Sequence, residues 1–336
     1  MRRVGNLIEH IAQTDNLLLA FWKASRGKQH QAAVIRFREN LDAQVRSLRE
    51  DLLAGSVRWG PYNRFTIRDP KERLICEPPF RDQVAQHALL NVTEPVFEAY
   101  QIHDSYACRK GKGVDGALRR AMKFARRGGW FLKMDIRKYF DSIHHDTLKV
   151  QLRRRFKDRT VLSLFDGVID SYHTTPGRGV PIGNLTSQFF ANHYLAALDH
   201  FIQETCRCRS LVRYMDDSVA WDGYKERLRE VHRRVDEFVR TRLQLELKPV
   251  YLNRCNRGMT FLGYRVFPDR LGLAKRSRSR FRDKLRRYDE NYQTGRWTEQ
   301  ETARHVESLL AYVRRAGTWQ YRRRTMEDLG LCPKQA

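Results

Sequence analysis

The sequence contains few cysteines, and they do not form the paired motifs typical of disulfide or zinc frameworks. The 336 residues include six cysteines and no CxxC pair. Cys206 and Cys208 are separated by one residue, which is a short spacing for two ligands of one zinc ion. We therefore expect free thiols in a reducing compartment, with neither disulfides nor structural zinc.

Long apolar runs are also lacking. No segment reaches the ~20 apolar residues that a membrane-spanning helix needs. Residues 1–16 contain neither the apolar core nor the small-residue cleavage site of a signal peptide. These absences predict a cytoplasmic protein that has no membrane partner.

Acidic residues are scarce relative to basic ones. The chain has 64 lysines and arginines against 39 aspartates and glutamates, so its formal net charge is +25. The basic residues are spread along the whole length rather than confined to a tail. This balance favours a polyanionic partner such as a nucleic acid, although a ribosomal or architectural protein would share it.

Helix-like and strand-like segments alternate in the middle of the chain. Residues 1–55 carry apolar side chains every three or four positions, which predicts a helical N-terminal element. Residues 55–79 mix β-prone and turn-forming residues, as a hairpin does. Basic, helical sequence follows Lys275. We therefore predict an α+β fold with mostly antiparallel pairing, flanked by helical pieces.

Two local predictions concern the second half of the chain. Thr186 or Ser187 is predicted to cap a helix that runs to about Phe201. The segments LELKPVYLN and MTFLGYRVF are predicted to be a further pair of strands.

The stretch VRYMDDSVA places two adjacent carboxylates, Asp216 and Asp217, between β-prone flanks. Neighbouring negative charges oppose each other's ionisation, so such a pair needs positive charge nearby. A third carboxylate, Asp135, ends another strand-like run. Together in one sheet, the three would suit two divalent cations such as Mg²⁺, which prefer oxygen ligands and promote phosphoryl transfer in pairs. The alternative is that Asp216 and Asp217 only occupy a hairpin turn, where Asp is common.

Five ordered motifs give the chain a resemblance to reverse transcriptases. YMDD at 214–217 resembles the YxDD box of that family, and MDIRKYFDSI at 134–143 resembles its first palm motif. The other segments, in the family's order, are ERLICEPPFRDQV with SYACRKGKG, then GVPIGNLTSQ, and finally LELKP followed by FLGYRV. The resemblance covers about residues 55–270.

The resemblance implies a right-hand polymerase fold with fingers, an antiparallel-sheet palm and a helical thumb. The implied divisions are an N-terminal helical extension at 1–54, fingers with part of the palm interleaved at 55–129, the palm at 130–270 and the thumb at 271–336.

The resemblance also implies the catalytic residues. Asp135 and Asp216 would be the principal ligands of two Mg²⁺ ions, for which Mn²⁺ can substitute, with Asp217 as a supporting carboxylate and the Ile136 backbone carbonyl as a further ligand. Lys248 matches a family lysine that would protonate the departing pyrophosphate or neutralise its charge. An ordinary exposed lysine is the alternative.

Residues that bind the incoming dNTP are implied in the same way. Arg68, Lys71 and Arg73 lie in the predicted hairpin, where the family places cations on the triphosphate. Each alone is equally compatible with a solvated surface. Phe140 falls where the family places a bulky ring under the sugar, which would exclude a 2′-hydroxyl; a core aromatic is the alternative.

The box containing Ile182, Gly183 and Gln188, which we also assign to dNTP binding, departs from the common form. Most reverse transcriptases have Gln before the glycine and Ser-Pro at the end, whereas this chain has Ile182 and Ser187-Gln188. The IGxxxSQ form is similar to reverse transcriptases of diversity-generating retroelements, which copy a template RNA into cDNA with errors at template adenines. Ile182 lacks the hydrogen bond that Gln would offer, which would weaken discrimination; simple packing against Phe189 or a neighbouring helix is the alternative.

This resemblance implies a template RNA, an RNA/cDNA duplex, dNTPs and a small basic accessory protein as partners, in a bacterial, phage or archaeal host. The basic run at 274–287 would contact the duplex through its phosphates. We expect no room for an RNase H domain, an endonuclease or a long maturase extension. Two alternatives are a retron-like or group II intron-derived reverse transcriptase of ordinary fidelity, and a catalytically idle RNA-binding protein on the same fold.

Overall fold

The computed structural model describes residues 3–68 and 72–331. Its N-terminal part is helical, with α1 (Ile8–Ile11), α2 (Thr14–Ser25), α3 (Ala32–Glu39) and α4 (Leu41–Ala54). Apolar residues on one side of these helices are fully buried, among them Leu17, Val34, Leu48 and Leu52. The N-terminal helices therefore belong to the main core of the molecule rather than lying beside it.

An antiparallel hairpin follows, formed by β1 (Asn63–Arg68) and β2 (Glu72–Glu77). It is exposed along most of its length and becomes buried at Cys76, where it joins the rest of the molecule. Two helices, α5 (Phe80–Glu98) and α6 (Gly113–Ala125), then lead to the central sheet.

The central sheet has four antiparallel strands in the order β4-β5-β3-β6. Their bounds are Trp130–Met134 for β3, Leu211–Tyr214 for β4, Asp217–Asp222 for β5 and Tyr251–Arg254 for β6. The intervening helices are α7 (Tyr139–Ser142), α8 (His145–Arg153), α9 (Arg159–Asp170), α10 (Leu185–His200), which a π-turn extends over Phe201–Thr205, and α11 (Lys225–Arg242). Because β3 and β5 occupy the two central positions, the residues that follow β3 and precede β5 meet at one end of the sheet.

A second, three-stranded antiparallel sheet and three helices complete the chain. The strands are β7 (Met259–Phe261), β8 (Tyr264–Val266) and β9 (Leu271–Leu273), and the helices are α12 (Lys275–Gln293), α13 (Glu299–Arg314) and α14 (Trp319–Asp328). The predicted pairing of LELKPVYLN with MTFLGYRVF is wrong. The first segment supplies β6 of the central sheet, whereas the second folds on itself as β7 and β8 around Leu262 and Gly263, which both have positive φ.

The two faces of the central sheet contact different cores. Leu132, Met134 and Ala220 face the larger core, which contains the N-terminal helices and α5. Phe131, Val219 and Trp221 face the smaller core, which contains α6, the second sheet and residues of α12 and α13. This alternation explains why successive apolar residues occur in β3 and in the middle of β5, as expected where a strand is covered on both faces.

The predicted α+β class with antiparallel pairing is confirmed. The predicted cap of α10 is wrong, because the helix begins at Leu185 with Asn184 as its N-cap. Thr186 and Ser187 are already in the first turn and are buried, and the Thr186 hydroxyl donates to the Gln86 side chain. In the part of the chain that the structure describes, no helix is both long and apolar enough to cross a membrane.

Candidate active site

The two adjacent aspartates lie in a tight turn between β4 and β5, which we call the carboxylate turn (Tyr214–Asp217). Tyr214 pairs with Asp217, so Met215 and Asp216 are the two central residues of a two-residue hairpin loop. Met215 has a φ of 56°, in the left-handed region that non-glycine residues rarely adopt. The turn places both carboxylates at the end of the sheet where β3 ends.

Asp135 directly follows β3 and faces the carboxylate turn. Its Oδ1 accepts a hydrogen bond from Lys248 Nζ at 2.8 Å, and its backbone carbonyl accepts one from the Lys248 N–H at 2.9 Å. Partial burial raises the pKa of Asp216, and the neighbouring charge of Asp135 and a hydrogen-bonding contact with it raise that pKa further. Asp135, Asp216 and Lys248 thus form one electrostatically coupled group.

Asp217 lies in a more enclosed position. Burial raises its pKa to about 6, although the charge of the Lys133 ammonium and a hydrogen bond with it act in the opposite direction. Its Oδ2 is 3.1 Å from Lys133 Nζ, while its Oδ1 is buried without a hydrogen-bond partner. Lys133 was missed in the sequence, although alternation along β3 places it on the same face as Asp135.

The Ile136 backbone is oriented toward the same site. Ile136 forms an antiparallel bridge with Leu247, next to the hydrogen bond from the Lys248 N–H to the Asp135 carbonyl. Successive residues of an extended chain direct their carbonyls to opposite edges, so the Ile136 carbonyl points to the edge where β5 and the carboxylate turn lie.

The donor chemistry of this group fits a hard divalent cation. It consists of oxygen ligands, and it contains an unpartnered buried carboxylate oxygen on Asp217. Within residues 3–68 and 72–331, however, no group of three or more carboxylate, histidine or cysteine side chains is already arranged to hold a metal. Two ion pairs, Lys248 with Asp135 and Lys133 with Asp217, supply positive charge to the carboxylates instead.

A cleft of 610 Å³ separates the hairpin from α7 and brings two of the predicted dNTP residues together. Arg73 lines it from β2, and the half-buried Ile182 lines it from the loop before α10. Lys138 and Arg178, which were not predicted, add two further cations to its walls. Glu72 and Asp141 also line the cleft, so three basic side chains share it with two acidic ones, and the basic side chains suit a polyphosphate.

Of the other two basic residues predicted in the hairpin, Arg68 is not among the residues that line this cleft. Arg68 is largely exposed and forms an ion pair with Glu72, with a distance of 2.8 Å between Nε and Oε2. Lys71 lies outside the described residues.

Gly183 and Gln188 line a different cavity, of 320 Å³, together with Phe65 and Ile75 of the hairpin. A backbone hydrogen bond of 2.7 Å from the Cys76 N–H to the Ile182 carbonyl separates this cavity from the cleft and attaches β2 to the loop. The structure therefore places four of the predicted dNTP residues in two neighbouring spaces, Arg73 and Ile182 in the cleft and Gly183 and Gln188 in the cavity.

Phe140 lies on α7 and is half-buried. Its ring packs edge-on against Tyr139, with 5.7 Å between the ring centroids, and contacts the larger core. Its backbone carbonyl accepts a hydrogen bond of 2.9 Å from the Val180 N–H. The ring is thus held by its packing against Tyr139 and the core, and the backbone of Phe140 by the hydrogen bond from Val180.

Comparison with known proteins gives distant curated relatives. The chain is 30% identical over 178 residues to protein YkfC of Escherichia coli, covering 49% of this chain and 46% of YkfC. It is 27% identical over 171 residues to the group II intron-encoded protein LtrA of Lactococcus lactis, covering 48% of this chain and 28% of LtrA. This chain thus spans less than half the length of these relatives.

Among solved structures, the chain resembles apo telomerase from Candida tropicalis with a TM-score of 0.50 and 11% identity, over 66% of this chain and 49% of that one. At this identity the likeness concerns the fold alone, and it confirms the right-hand polymerase architecture predicted from the motifs. The family model for reverse transcriptase (RNA-dependent DNA polymerase) matches residues 68–266, more than half of the sequence. The chain therefore belongs to the reverse transcriptase family.

Proposed function

We propose that this chain is an Mg²⁺-dependent, RNA-directed DNA polymerase that extends a primer with dNTPs on an RNA template. The observation that carries the proposal is the convergence of Asp135 and the carboxylate turn at one end of the central sheet, beside Lys248. A protein that only bound RNA would have no need of three carboxylates facing a polyanion.

In this proposal the oxygen ligands are the carboxylates of Asp135 and Asp216, supported by Asp217 and the Ile136 carbonyl. Bound Mg²⁺ would supply activation of the primer hydroxyl and stabilisation of the leaving oxygen. Lys248 donates a proton to the departing pyrophosphate or neutralises its charge. Its ammonium lies 2.8 Å from Asp135, one of the proposed metal ligands, which places it beside the reaction.

The chain's other residues position the nucleotide. Arg73, Lys138 and Arg178 bind the triphosphate in the cleft between hairpin and palm. Phe140 excludes the 2′-hydroxyl of a ribonucleotide. On α12, eight lysines and arginines against three acidic residues offer a surface for the phosphates of the template RNA and the RNA/cDNA duplex.

The test is primer extension on RNA by the purified chain and by Asp216→Asn. Asp222→Asn is the matched control, because Asp222 ends β5, the strand that follows the turn, and is ion-paired with Arg227. We expect Mg²⁺-dependent extension by the wild type and by Asp222→Asn, and none by Asp216→Asn. Equal activity of all three, or RNA binding without any extension even with cognate RNA, would contradict the proposal.

A finer proposal concerns fidelity: the enzyme is of the diversity-generating type and misincorporates opposite template adenines, aided by a small basic accessory protein. It is supported by the IGNLTSQ box and by the position of the Ile182 side chain in the cleft beside Arg73. An apolar side chain there offers no hydrogen bond to a nascent pair, and the loss of one such bond, ~1 kcal/mol, permits several-fold more errors.

Sequencing the extension products of the wild type and of Ile182→Gln tests this finer proposal. We expect wild-type errors concentrated opposite adenines, and fewer of them in the variant. Leu185→Gln, a half-buried apolar residue three positions away that lines the other cavity, controls for adding a polar side chain. Uniformly faithful products would instead favour an enzyme of ordinary fidelity, in line with the similarity to an intron-encoded protein.

A further inference from the structure

A buried arginine lies beneath the carboxylate turn. Arg213, on β4, is 1% exposed and is the largest of the fully buried side chains among the described residues. Its guanidinium reaches from β4 to α10, to the segment after α5 and back to the turn. It cannot contact a substrate directly, because the protein encloses it.

Every N–H group of this guanidinium has an acceptor. Nε donates to the carboxylate of Asp199, with N–O distances of 2.9 and 2.7 Å. The four remaining N–H groups donate to the Asn192 side chain at 3.1 Å, the Met215 carbonyl at 3.0 Å, the Gln101 side chain at 3.1 Å and the Asn192 carbonyl at 3.2 Å. Five donors in a rigid plane are thus matched to acceptors from three separate segments.

The charge of Arg213 is balanced inside the protein. Asp199 is also 1% exposed, and its carboxylate pairs with Arg213 at 2.7 Å. A neutral pair of this kind adds little field at the carboxylates of the turn. Its geometric effect is therefore the relevant one.

The hydrogen bond from Arg213 acts on Met215, the strained residue of the turn. The Met215 carbonyl belongs to the peptide that leads into Asp216, and the Met215 backbone has a φ of 56°. A side chain in this left-handed region raises the energy of the backbone, so the conformation persists only where neighbouring groups hold it. The hydrogen bond from Arg213 holds that peptide.

We propose that Arg213, backed by Asp199, is a positioning residue that fixes the carboxylate turn and hence the direction of Asp216. Its kinetic consequence rests on the proposed polymerase function, but its structural consequence does not. Lysine cannot replace it, since an ammonium has three donors on a flexible stem and leaves two of the five acceptors without a partner.

The experiment compares Arg213→Lys, Met215→Gly and the double variant with the wild type. Glycine adopts positive φ without strain, so Met215→Gly removes the need for the hydrogen bond. Arg109→Lys is the matched control, because Arg109 is also buried and donates to Glu98 and to the carbonyls of Ile102 and Ser105 without reaching the turn.

Two measurements are made on each variant. In primer extension we expect kcat of Arg213→Lys to fall about 100-fold with little change in KM for dNTP. The substitution misplaces the reacting groups but leaves the binding of the nucleotide intact. Adding Met215→Gly to Arg213→Lys should raise kcat again by about tenfold. Hydrogen exchange should quicken in residues 211–222 of Arg213→Lys and not in Arg109→Lys.

The exchange measurement keeps this inference separate from the proposed function. Faster exchange at the turn, relieved by Met215→Gly, supports the positioning role whether or not the chain polymerises DNA. Unchanged exchange at the turn would overturn the inference, as would a loss of kcat that Arg109→Lys reproduces and Met215→Gly does not relieve. If the wild type extends no primer, the proposed function fails by its own test.

Discussion

At the scale of single residues, the carboxylates of the turn differ in how their charge is balanced. Asp135 is paired with Lys248 and Asp217 with Lys133, whereas burial and the neighbouring Asp135 raise the pKa of Asp216 against the opposing effects of a backbone hydrogen bond and of Lys248. Adjacent aspartates are tolerated here because Lys133 of β3 and Lys248, which precedes β6, lie beside this group of carboxylates. Asp216 is therefore the carboxylate with most to gain from a cation.

Phe140 provides a prediction about sugar selection. Phe140→Ala removes the ring and makes room for a 2′-hydroxyl, so the preference for dNTPs over rNTPs should fall by about tenfold or more. The measurement is the ratio of kcat/KM for the two substrates. Phe189→Ala, another half-buried aromatic of the same core, is the control and should leave the ratio unchanged. Loss of discrimination in both variants would mean that core damage, not the ring, is responsible.

Asp82 gives a prediction about pH. It is buried near the start of α5 and accepts a hydrogen bond of 2.8 Å from the Gly60 N–H, and burial raises its pKa to about 6. The folded state therefore holds a proton between pH ~4 and ~6 that the unfolded state releases, so this residue's contribution to stability falls as pH rises through that window.

Asp82→Asn keeps an acceptor for Gly60 and removes the titration. The free energy of unfolding of the variant, relative to the wild type, should rise by up to about 3 kcal/mol between pH 4 and pH 7. Denaturant unfolding at several pH values measures it. A difference that does not vary with pH would contradict the assigned pKa.

At the scale of elements, the junction between the hairpin and the loop before α10 depends on a glycine. Gly183 has a φ of +124°, and a Cβ at this position would lie 2.7 Å from the Cys76 carbonyl oxygen. The backbone of the loop can approach β2 closely only because that atom is absent. The hydrogen bond from Cys76 to the Ile182 carbonyl requires this approach.

Gly183→Ala should weaken the junction. Gly177→Ala is the matched control, because Gly177 also has a positive φ, of +72°, but a Cβ added there would meet no atom of the described residues within 4 Å. The control should cost roughly 1–2 kcal/mol for the backbone alone, and Gly183→Ala should cost roughly 1–3 kcal/mol more for the overlap. Equal losses in denaturant unfolding would show that the close approach has no energetic weight.

Local patterns in the sequence predicted the elements that local chemistry controls. A turn at the adjacent aspartates, the hairpin within residues 55–79 and the basic C-terminal helices follow from alternation, turn residues and charge. The N-cap of α10 was misplaced by two to three residues, because the helix begins after Asn184, whose side chain donates to the Tyr62 hydroxyl instead of capping the helix. The contacts that complete the site were not predictable in this way.

Those contacts join distant parts of the chain. Lys133 reaches Asp217 across paired strands, and Arg213 gathers acceptors from Gln101 to Met215. Alternation along β3 places Lys133 on the face of Asp135, but the neighbouring sequence does not identify the partner of either Lys133 or Arg213. Only the strand register and the packing of α10 under the sheet identify the partner.

At the scale of the whole molecule, the excess of positive charge predicts a strong salt dependence of RNA binding. The basic residues of α12 and α11 differ in their surroundings. On α11, Arg229 and Arg233 are ion-paired with Glu226 and Glu230. On α12, Arg282 and Arg286 are exposed at the same spacing.

Arg282→Gln with Arg286→Gln should weaken RNA binding and reduce the slope of log K against log salt by about one for each arginine. Arg229→Gln with Arg233→Gln makes the same change in net charge and should leave the slope nearly unchanged. Binding titrations over a range of salt concentrations measure both. Equal slopes for the two double variants would show that net charge, rather than the α12 surface, governs binding.

The hydrogen bond between the hairpin and the loop before α10 uses only the backbone of position 182. The loop contributes its Ile182 carbonyl to this bond, and the Ile182 side chain points into the cleft without taking part. Position 182 can therefore exchange one side chain for another while the attachment of the hairpin stays the same. In the fidelity proposal, a substitution at position 182 changes copying accuracy and leaves the backbone attachment of the hairpin intact.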